Sequence, residues 1–255
     1  MDDALIERFS RDGYLKLESA VPAQVAAECA GLLWQRIGLS PDDPSGWTEP
    51  VHWVDGMGGP AFEAAANAPA LVDAFDALAG PGRWVRRTAI GSFPLRFPHP
   101  VEPDDAGWHI EASYPSPDGS RYLTNYRSRS RALLLLFLFS EVGTGDAPTR
   151  IRVGSHLDVP PVLLPYGEAG ESIFTFADEV NRASAHRPVT LATGSPGDVF
   201  VCHPFLVHAA QPHHGRTPRF MAQPGLDRAM EPSPDDENPY PVDRLIRQGL
   251  STAGR

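Results

Sequence analysis

The chain has 255 residues, and its 22 basic and 32 acidic side chains give a formal net charge of −10. This acidic balance disfavours a protein that binds nucleic acid or an anionic membrane through a basic surface. The longest uninterrupted apolar run, 132–139, is much shorter than the roughly 20 residues that a membrane-spanning helix needs. We therefore expect neither a nucleic-acid partner nor a membrane partner.

The N-terminus and the cysteines indicate where the protein is located. Met1, Asp2 and Asp3 lack the basic and apolar regions of a secretory signal peptide. Cys29 and Cys202 are too few and too far apart for the disulfide framework of a small secreted protein. These features predict a cytoplasmic protein.

The first third of the chain has helical periodicity. Apolar residues near the start fall on one helical face, and further helices are expected to begin after Pro22 and at Pro69, each closed by a glycine. Residues 40–60 are expected to form a loop. The segment 1–82 is thus predicted to be a helical N-terminal cover.

From residue 83 onward the pattern changes to short extended segments. Proline and glycine make up about a fifth of the chain, against roughly 12% in average proteins, and they bound nearly all of these segments. Eight antiparallel strands in two sheets form a jelly roll, also called a double-stranded β-helix, which is the mainly β fold that we predict. The predicted strands are 83–93, 107–112, 121–126, 131–139, 149–153, 188–192, 198–203 and 218–223.

These segments organise the chain as one predicted domain, 1–255. Its jelly-roll core spans 83–225, interrupted by a helix or covering loop at 171–185. A C-terminal loop and helix follow over 226–255.

Two His-x-acid pairs are candidate metal ligands. On a strand, residues i and i+2 point to the same face and can hold one ion together. The pairs are His109 with Glu111 and His156 with Asp158. This composition supplies about one such pair by chance, so the motif alone has little weight.

A third ligand should be a histidine on a distant strand, and the segment from 197 to 208 offers His203 and His208. Two histidines and one carboxylate on one face of an ion leave three positions open, as in non-haem Fe(II) oxygenases. Arg219 follows eleven residues after His208. A guanidinium there suits the distal carboxylate of 2-oxoglutarate, whose other end can chelate iron.

The strand count distinguishes the two pairs. If His156 and Asp158 lay on the second strand of the jelly roll, too few strands would follow to close two sheets. With His109 and Glu111 on that strand, six strands follow and the count closes. His156 also comes directly after Gly154 and Ser155, which signal a turn.

Together these residues resemble the phytanoyl-CoA dioxygenase family of Fe(II)/2-oxoglutarate-dependent oxygenases in its small bacterial form. The resemblance covers essentially residues 5 to 250. It rests on the segments 107–111 and 147–156, on Gly197 and Asp198 leading to His208, on Arg219 and on the tail 241–246.

The resemblance implies that His109, Glu111 and His208 bind iron and that Arg219, with the hydroxyl of Thr149, binds 2-oxoglutarate. The family usually has Asp where this chain has Glu111. It also implies a dioxygenase that uses Fe(II), 2-oxoglutarate and O2, and that most commonly hydroxylates a C–H bond while 2-oxoglutarate becomes succinate and CO2. Related halogenases lack the carboxylate ligand, so its presence favours oxygenation.

The substrate is expected to be a small organic molecule of secondary metabolism, because a chain with a single lysine, Lys16, shows no obvious site for the phosphates of coenzyme A. We expect the iron to be flanked, or its entrance lined, by Phe93, Trp108, Tyr114, Tyr126 and Arg127. As strand aromatics, the first four suit the hydrophobic core equally well. Arg127, Arg129 and Arg131 alternate with serines and so share one predicted strand face. That face either lines an entrance for an anionic substrate or is a solvated face, which is the commoner explanation of such a pattern.

Two other functions fit the same fold. One is a cupin-like isomerase, lyase or hydrolase that uses Zn or Mn and does not need Arg219. The other is a ligand-binding jelly roll that has lost catalysis.

Overall fold

Helices precede, interrupt and follow a set of short antiparallel strands. The computed structural model describes residues 2–101, 103–233 and 236–252. Within these residues the helices are α1 Asp3–Asp12, α2 Ala23–Ile37, α3 Pro60–Ala66, α4 Pro69–Ala79, α5 Val159–Leu163, α6 Ile173–Ala183 and α7 Pro241–Thr252.

Local sequence explains where the helices begin and end. The Asp2 carboxylate accepts a hydrogen bond from the backbone N–H of Leu5 at 2.9 Å and caps α1. Gly13 and Gly38 close α1 and α2 at φ of 82° and 70°, a left-handed conformation that favours glycine. The predicted N-terminal helices are confirmed, and so is the C-terminal helix. The segment 171–185, predicted to be a helix or a covering loop, contains α6. Residues 234–235 and 253–255 of the predicted C-terminal segment lie outside the described residues.

The strands form two main antiparallel sheets. The larger has the order β1-β11-β8-β13, with β14 also paired to β8, and the smaller has the order β10-β9-β12. The strands are β1 Tyr14–Leu17, β2 Val51–Val54, β3 Met57–Gly58, β4 Ala89–Ile90, β5 Phe93–Arg96, β6 Tyr114–Pro115, β7 Tyr122–Leu123, β8 Arg131–Leu138, β9 Arg150–Arg152, β10 Val189–Leu191, β11 Val199–Cys202, β12 His208–Ala209, β13 Met221–Ala222 and β14 Gly225–Asp227.

Three predictions about extended structure are wrong, the last of them in part. Residues 107–112 do not form a strand: His109 makes an isolated antiparallel bridge to His208 on β12. The predicted loop at 40–60 contains β2, which pairs with β5, and β3, which pairs with β4. Much of 83–93 also lies outside the strands, because its chain pairs only in short segments.

Strand β8 is buried on both faces, which explains why its sequence is almost uninterrupted leucine and phenylalanine. Leu134, Leu136 and Leu138 pack against residues of β9, β11 and β13 in the space between the two main sheets. Leu133 and Leu135 pack with the helices in a larger cluster on the other face. The residues of the larger cluster include Phe9, Leu33, Phe62, Phe75, Val242 and Leu245, so α1 to α4 and α7 cover that face. No helix in the described ranges is long and apolar enough to cross a membrane.

Candidate metal centre and its cavity

Three side chains that the sequence selects meet at one point. Candidate ligand atoms of His109, Glu111 and His208 all lie within 4.8 Å of one another. Glu111 Oε1 is 3.5 Å from His208 Nε2 and 4.0 Å from His109 Nε2. Two imidazoles and one carboxylate are donors that suit iron and other transition metals.

Backbone pairing brings the two histidines together. The N–H of His109 donates to the carbonyl of His208, and the N–H of His208 donates to the carbonyl of His109, both at 3.0 Å. Ile110 points into the apolar core, so its neighbours His109 and Glu111 share the opposite side. The predicted i and i+2 arrangement therefore holds across a bridge, without a continuous strand.

Hydrogen bonds orient both imidazole rings. His109 Nδ1 lies 2.7 Å from the carbonyl oxygen of Gly107, and His208 Nδ1 lies 2.9 Å from that of Leu206. Because a carbonyl can only accept, each Nδ1 is the protonated nitrogen and each Nε2 carries the lone pair. His208 Nε2 is buried and has no hydrogen-bond partner among the described residues. An unsatisfied buried lone pair beside a carboxylate and a second Nε2 fits a metal ion.

The protonation states suit metal binding. Burial raises the pKa of Glu111, but the neighbouring His208, with Arg131 and His109, lowers it overall to about 2. Burial, followed by the neighbouring His208, lowers the pKa of His109. At neutral pH the site therefore presents an ionised carboxylate and a neutral His109 imidazole, the forms that bind metals.

These side chains open onto a cavity of about 420 Å³. Part of its wall comes from β5 and the segment before it, part from β8 and β9, and part from the chain between β12 and β14. The lining residues are Trp53, Gly91, Ser92, Pro94, Arg96, Asp105, His109, Glu111, Arg131, Thr149, Ile173, His208, Ala210, Arg219, Gln223 and Gly225.

Arg219 lies in this cavity as a buried cation. Its Nη1 donates to the carbonyl of Ala147 at 2.6 Å and its Nη2 to that of Pro94 at 3.0 Å, while Nε has no partner. No carboxylate within the described residues forms an ion pair with it. Burial, with the repulsive charge of Arg96, lowers the pKa of Arg219. A desolvated guanidinium without a counter-ion fits an anionic ligand.

Arg96 adds a second positive charge to the part of the cavity that contains Arg219. The backbones of Arg96 and Arg219 exchange two hydrogen bonds, so the two side chains leave neighbouring strand segments. The Arg96 guanidinium is ion-paired with Asp105, whose charge compensates for only one of the two arginines. Sequence reasoning missed Arg96 and Asp105. A single arginine inside the apolar segment 93–97 was the available signal.

Thr149 lines the same cavity, directly before β9. Its side chain is buried, and Oγ1 lies 3.6 Å from the sulfur of Met221. The structure thus brings all five residues predicted for metal and co-substrate binding into one cavity.

The competing histidines lie elsewhere. Asp158 makes a two-pronged ion pair with Arg187, with both N–O distances 2.7 Å, and His156 is buried in a single 3-10 turn. The His203 ring contacts His156, its Nδ1 accepts from the N–H of Phe205, and its Nε2 lies 3.3 Å from the carbonyl of Val242. These contacts with the backbone and with another buried ring indicate that His203 has a structural role.

The five residues expected to flank the iron do not line this cavity, and their role in substrate binding remains a prediction. Phe93 packs against Phe62 and Phe139, and Trp108 lies beneath the guanidinium groups of Arg150 and Arg152. The Tyr114 hydroxyl donates to the carbonyl of Ala169. Tyr126 and Arg127 line a separate pocket of about 220 Å³ against α7.

Comparisons with known proteins agree with this architecture. No protein-family model matches the chain, and the search of curated proteins finds no significant match. Solved structures do match over most of the chain. SnoN of nogalamycin biosynthesis, an epimerase in complex with Fe3+, alpha ketoglutarate and nogalamycin RO, is 16% identical with a TM-score of 0.60, and the match covers 94% of each chain.

Two further structures match to a similar degree. SnoK, a non-heme alpha ketoglutarate-dependent carbocyclase from nogalamycin biosynthesis, is 16% identical with a TM-score of 0.58 over 94% of this chain and 92% of its own. HygX from Streptomyces hygroscopicus, with nickel and 2-oxoglutarate bound, is 13% identical with a TM-score of 0.57 over 94% and 96%. The chain shares their fold. The predicted jelly-roll architecture with flanking helices is confirmed.

Proposed function

We propose that the protein is an Fe(II)/2-oxoglutarate-dependent oxygenase. The observation that carries this proposal is the presence, in one cavity, of the His109, Glu111 and His208 cluster and of Arg219, a buried guanidinium with no ion-pair partner in the described chain. A metal site alone would suit many enzymes. The second feature, a buried guanidinium that can pair with a carboxylate, favours a keto acid as co-substrate.

In this proposal His109, Glu111 and His208 hold the metal through the two Nε2 atoms and a carboxylate oxygen. Such a triad leaves three positions open, enough for a chelating keto acid and for dioxygen. The metal supplies the oxidation chemistry when it is bound. The carbonyl groups of Gly107 and Leu206 keep the two rings oriented toward it.

Arg219 receives the distal carboxylate of 2-oxoglutarate, and Thr149 offers a hydroxyl to the same group. Two carbonyl acceptors fix the guanidinium, so it is oriented before the ligand arrives. Burial strengthens the charge-assisted hydrogen bonds, because water does not compete for the guanidinium.

The overall reaction transfers one oxygen atom of O2 to a substrate C–H bond and the other to 2-oxoglutarate, which leaves as succinate and CO2. Hydroxylation is the simplest outcome. SnoK and SnoN are a carbocyclase and an epimerase, so proteins of this fold also direct oxidation to ring closure and to inversion. A small organic molecule, as in secondary metabolism, is the substrate class that we propose.

Binding of 2-oxoglutarate tests the proposal. We expect anaerobic calorimetry with Fe(II)-loaded protein to show saturable binding of 2-oxoglutarate, and Arg219→Gln to weaken it about thirtyfold or more, since losing one partner of a buried charge pair costs at least ~2 kcal/mol. Arg216→Gln is the matched control, because Arg216 is exposed and lies three residues away.

Other outcomes would support the alternative functions. Metal binding without 2-oxoglutarate binding, or equal affinity in Arg219→Gln and the wild type, would contradict the proposal. Metal-dependent isomerase, lyase or hydrolase activity that persists in Arg219→Gln would identify a cupin-like enzyme instead.

A further inference from the structure

A second arginine, Arg131, reaches the cavity because of a β-bulge. Leu226 pairs with Leu133, whereas the next residue, Asp227, pairs with Arg131, so Ala132 is an extra residue on β8. Ala132 and Leu133 both pack into the helix-covered cluster. Without the extra residue, Arg131 would share that apolar face with Leu133. The bulge reverses the alternation and directs Arg131 to the side that lines the cavity.

The guanidinium of Arg131 lacks partners. Its Nε and Nη1 are buried without a hydrogen-bond acceptor, and no ion pair joins it to a carboxylate in the described part of the chain. Two other arginines with buried side chains are compensated: Arg228 makes a 2.7 Å ion pair with Asp243, and Arg152 donates to Asn181 and Ser184. Burial lowers the pKa of Arg131 against the opposing charges of Glu111 and Asp227.

The nearby carboxylates are already engaged. Glu111 lies within 3.5 Å of His208 Nε2 in the metal cluster. Asp227 is largely exposed and lies 3.8 Å from Arg87. Leaving a buried guanidinium unpaired costs several kcal/mol, so a cavity that keeps one is suited to an anion from outside the chain.

Arg131 and Arg219 lie at opposite ends of β8. Arg131 is its first residue, while Phe220, next to Arg219, bonds to Phe139 just beyond its last. Eight residues of strand separate these points by about 26 Å along the backbone. The long side chains shorten this distance inside the cavity, but Arg131 leaves the backbone at the first residue of β8 and Arg219 leaves it beside the other end of that strand. One molecule of 2-oxoglutarate held by Arg219 therefore leaves Arg131 without a ligand.

We infer that Arg131 binds an anionic group, a carboxylate or a phosphate, of the primary substrate. This inference rests on the proposed function, because that function assigns Arg219 to 2-oxoglutarate and the metal to the His109, Glu111 and His208 cluster in the same cavity. The fork of the Arg131 guanidinium holds the anion, and that contact orients the rest of the substrate toward the metal. The substrate class is thus an organic acid or a phosphorylated compound.

Anion titration of the loaded protein tests the inference. The protein is saturated with Fe(II) and 2-oxoglutarate without oxygen, so that the Arg219 subsite is filled, and is titrated by calorimetry with benzoate or with inorganic phosphate. Benzyl alcohol is the uncharged probe. We expect at least one anion to bind, benzyl alcohol to bind far more weakly than benzoate, and Arg131→Gln to weaken the anion roughly tenfold or more.

Matched variants separate this effect from damage to the fold. Arg129→Gln, two residues away and exposed, should bind the anions as the wild type does. Arg131→Lys keeps the positive charge but lacks the planar guanidinium, and it should bind the anions more tightly than Arg131→Gln does. The circular dichroism spectrum and melting temperature of the same samples report whether each variant is folded.

Three results would overturn the inference. The first is no anion binding to the loaded wild-type protein, and the second is equal anion affinity in the wild type, Arg131→Lys and Arg131→Gln. The third is a loss of 2-oxoglutarate affinity in Arg131→Gln as large as in Arg219→Gln, because the anion on Arg131 would then be a carboxylate of 2-oxoglutarate itself. Failure of the proposed function has a different signature, since 2-oxoglutarate would not bind the Fe(II)-loaded wild type at all.

Discussion

At the scale of single residues, the cavity is defined by polar atoms that the protein leaves unsatisfied. Among the described residues, His208 Nε2, Arg219 Nε and two nitrogens of Arg131 are buried without partners. Arg96 Nε and Asp105 Oδ1 also lack a hydrogen-bond partner, but Arg96 and Asp105 form an ion pair with each other, and each His Nδ1 faces a carbonyl. Because buried polar groups are nearly always satisfied in proteins, three such side chains in one cavity indicate sites for ligands.

Some of the polar residues of this cavity could be identified from the sequence. His109, Glu111, His208 and Arg219 could be selected because their residue types and spacing match a metal and keto-acid site. Arg131 could not be assigned to the cavity, since its direction depends on the bulge in its pairing with β14. Ordinary alternation would place Arg131 on the same side as Leu133.

A glycine makes room for Arg131, and this leads to a prediction at the residue scale. A Cβ on Gly225 would lie 2.7 Å from Arg131 Nε and 3.0 Å from its Cζ. Because the guanidinium is the end of a flexible side chain, it would move and the backbone would not. We expect Gly225→Ala to weaken benzoate binding to the loaded protein several-fold with little change in melting temperature.

Gly31→Ala is the control, since no atom lies within 4 Å of its added Cβ. Unchanged benzoate affinity in Gly225→Ala would show that the position of the Arg131 guanidinium does not matter for the anion.

At the scale of elements, helices were predicted better than strands. Helix ends depend on local signals, such as the left-handed glycines Gly13 and Gly38. Short strands depend on partners far along the chain. The segment 107–112, which carries His109 and Glu111, pairs only through His109, and β12 has two residues. The strand count chose His109 and Glu111, which do converge with His208, although that segment is not a strand.

The two-sided burial of β8 shows why the elements occupy these places. Alternate leucines enter the space between the sheets and the cluster beneath the helices. The strand therefore anchors both layers while its two ends reach the two arginine sites. An apolar run of this kind predicts a buried strand, but the sequence does not show which of its flanking residues reach a cavity.

At the scale of the whole molecule, a buried histidine pair joins three parts of the chain. His156 and His203 have ring centroids 4.9 Å apart, between the end of α1 and the start of α7. Burial lowers the pKa of His156 to about 4, with Arg187 acting in the same direction and a backbone hydrogen bond opposing it. Burial, with the charge of His156, lowers the pKa of His203 as well.

This pair predicts how stability depends on pH. In the unfolded chain His156 is protonated below about pH 6.5, whereas in the folded protein its pKa is about 4. Between these two values the unfolded state binds more protons than the folded state, so the free energy of unfolding falls as the pH falls through this window. The shift corresponds to a loss of about 3 kcal/mol from His156. We expect urea denaturation between pH 7 and pH 4.5 to show this fall, and His156→Leu to reduce its slope.

His186→Asn is the control, because His186 is exposed. An equal pH dependence in His156→Leu and the wild type would show that the buried pair does not control acid stability.

The central claim is that one cavity binds Fe(II) and 2-oxoglutarate together. The most direct measurement is the visible absorption of the metal-free protein after anaerobic addition of Fe(II) and 2-oxoglutarate. We predict a weak metal-to-ligand charge-transfer band that requires both additions, because the keto acid chelates the iron held by His109, Glu111 and His208. No band under conditions where Fe(II) and 2-oxoglutarate are both shown to be bound would contradict the account.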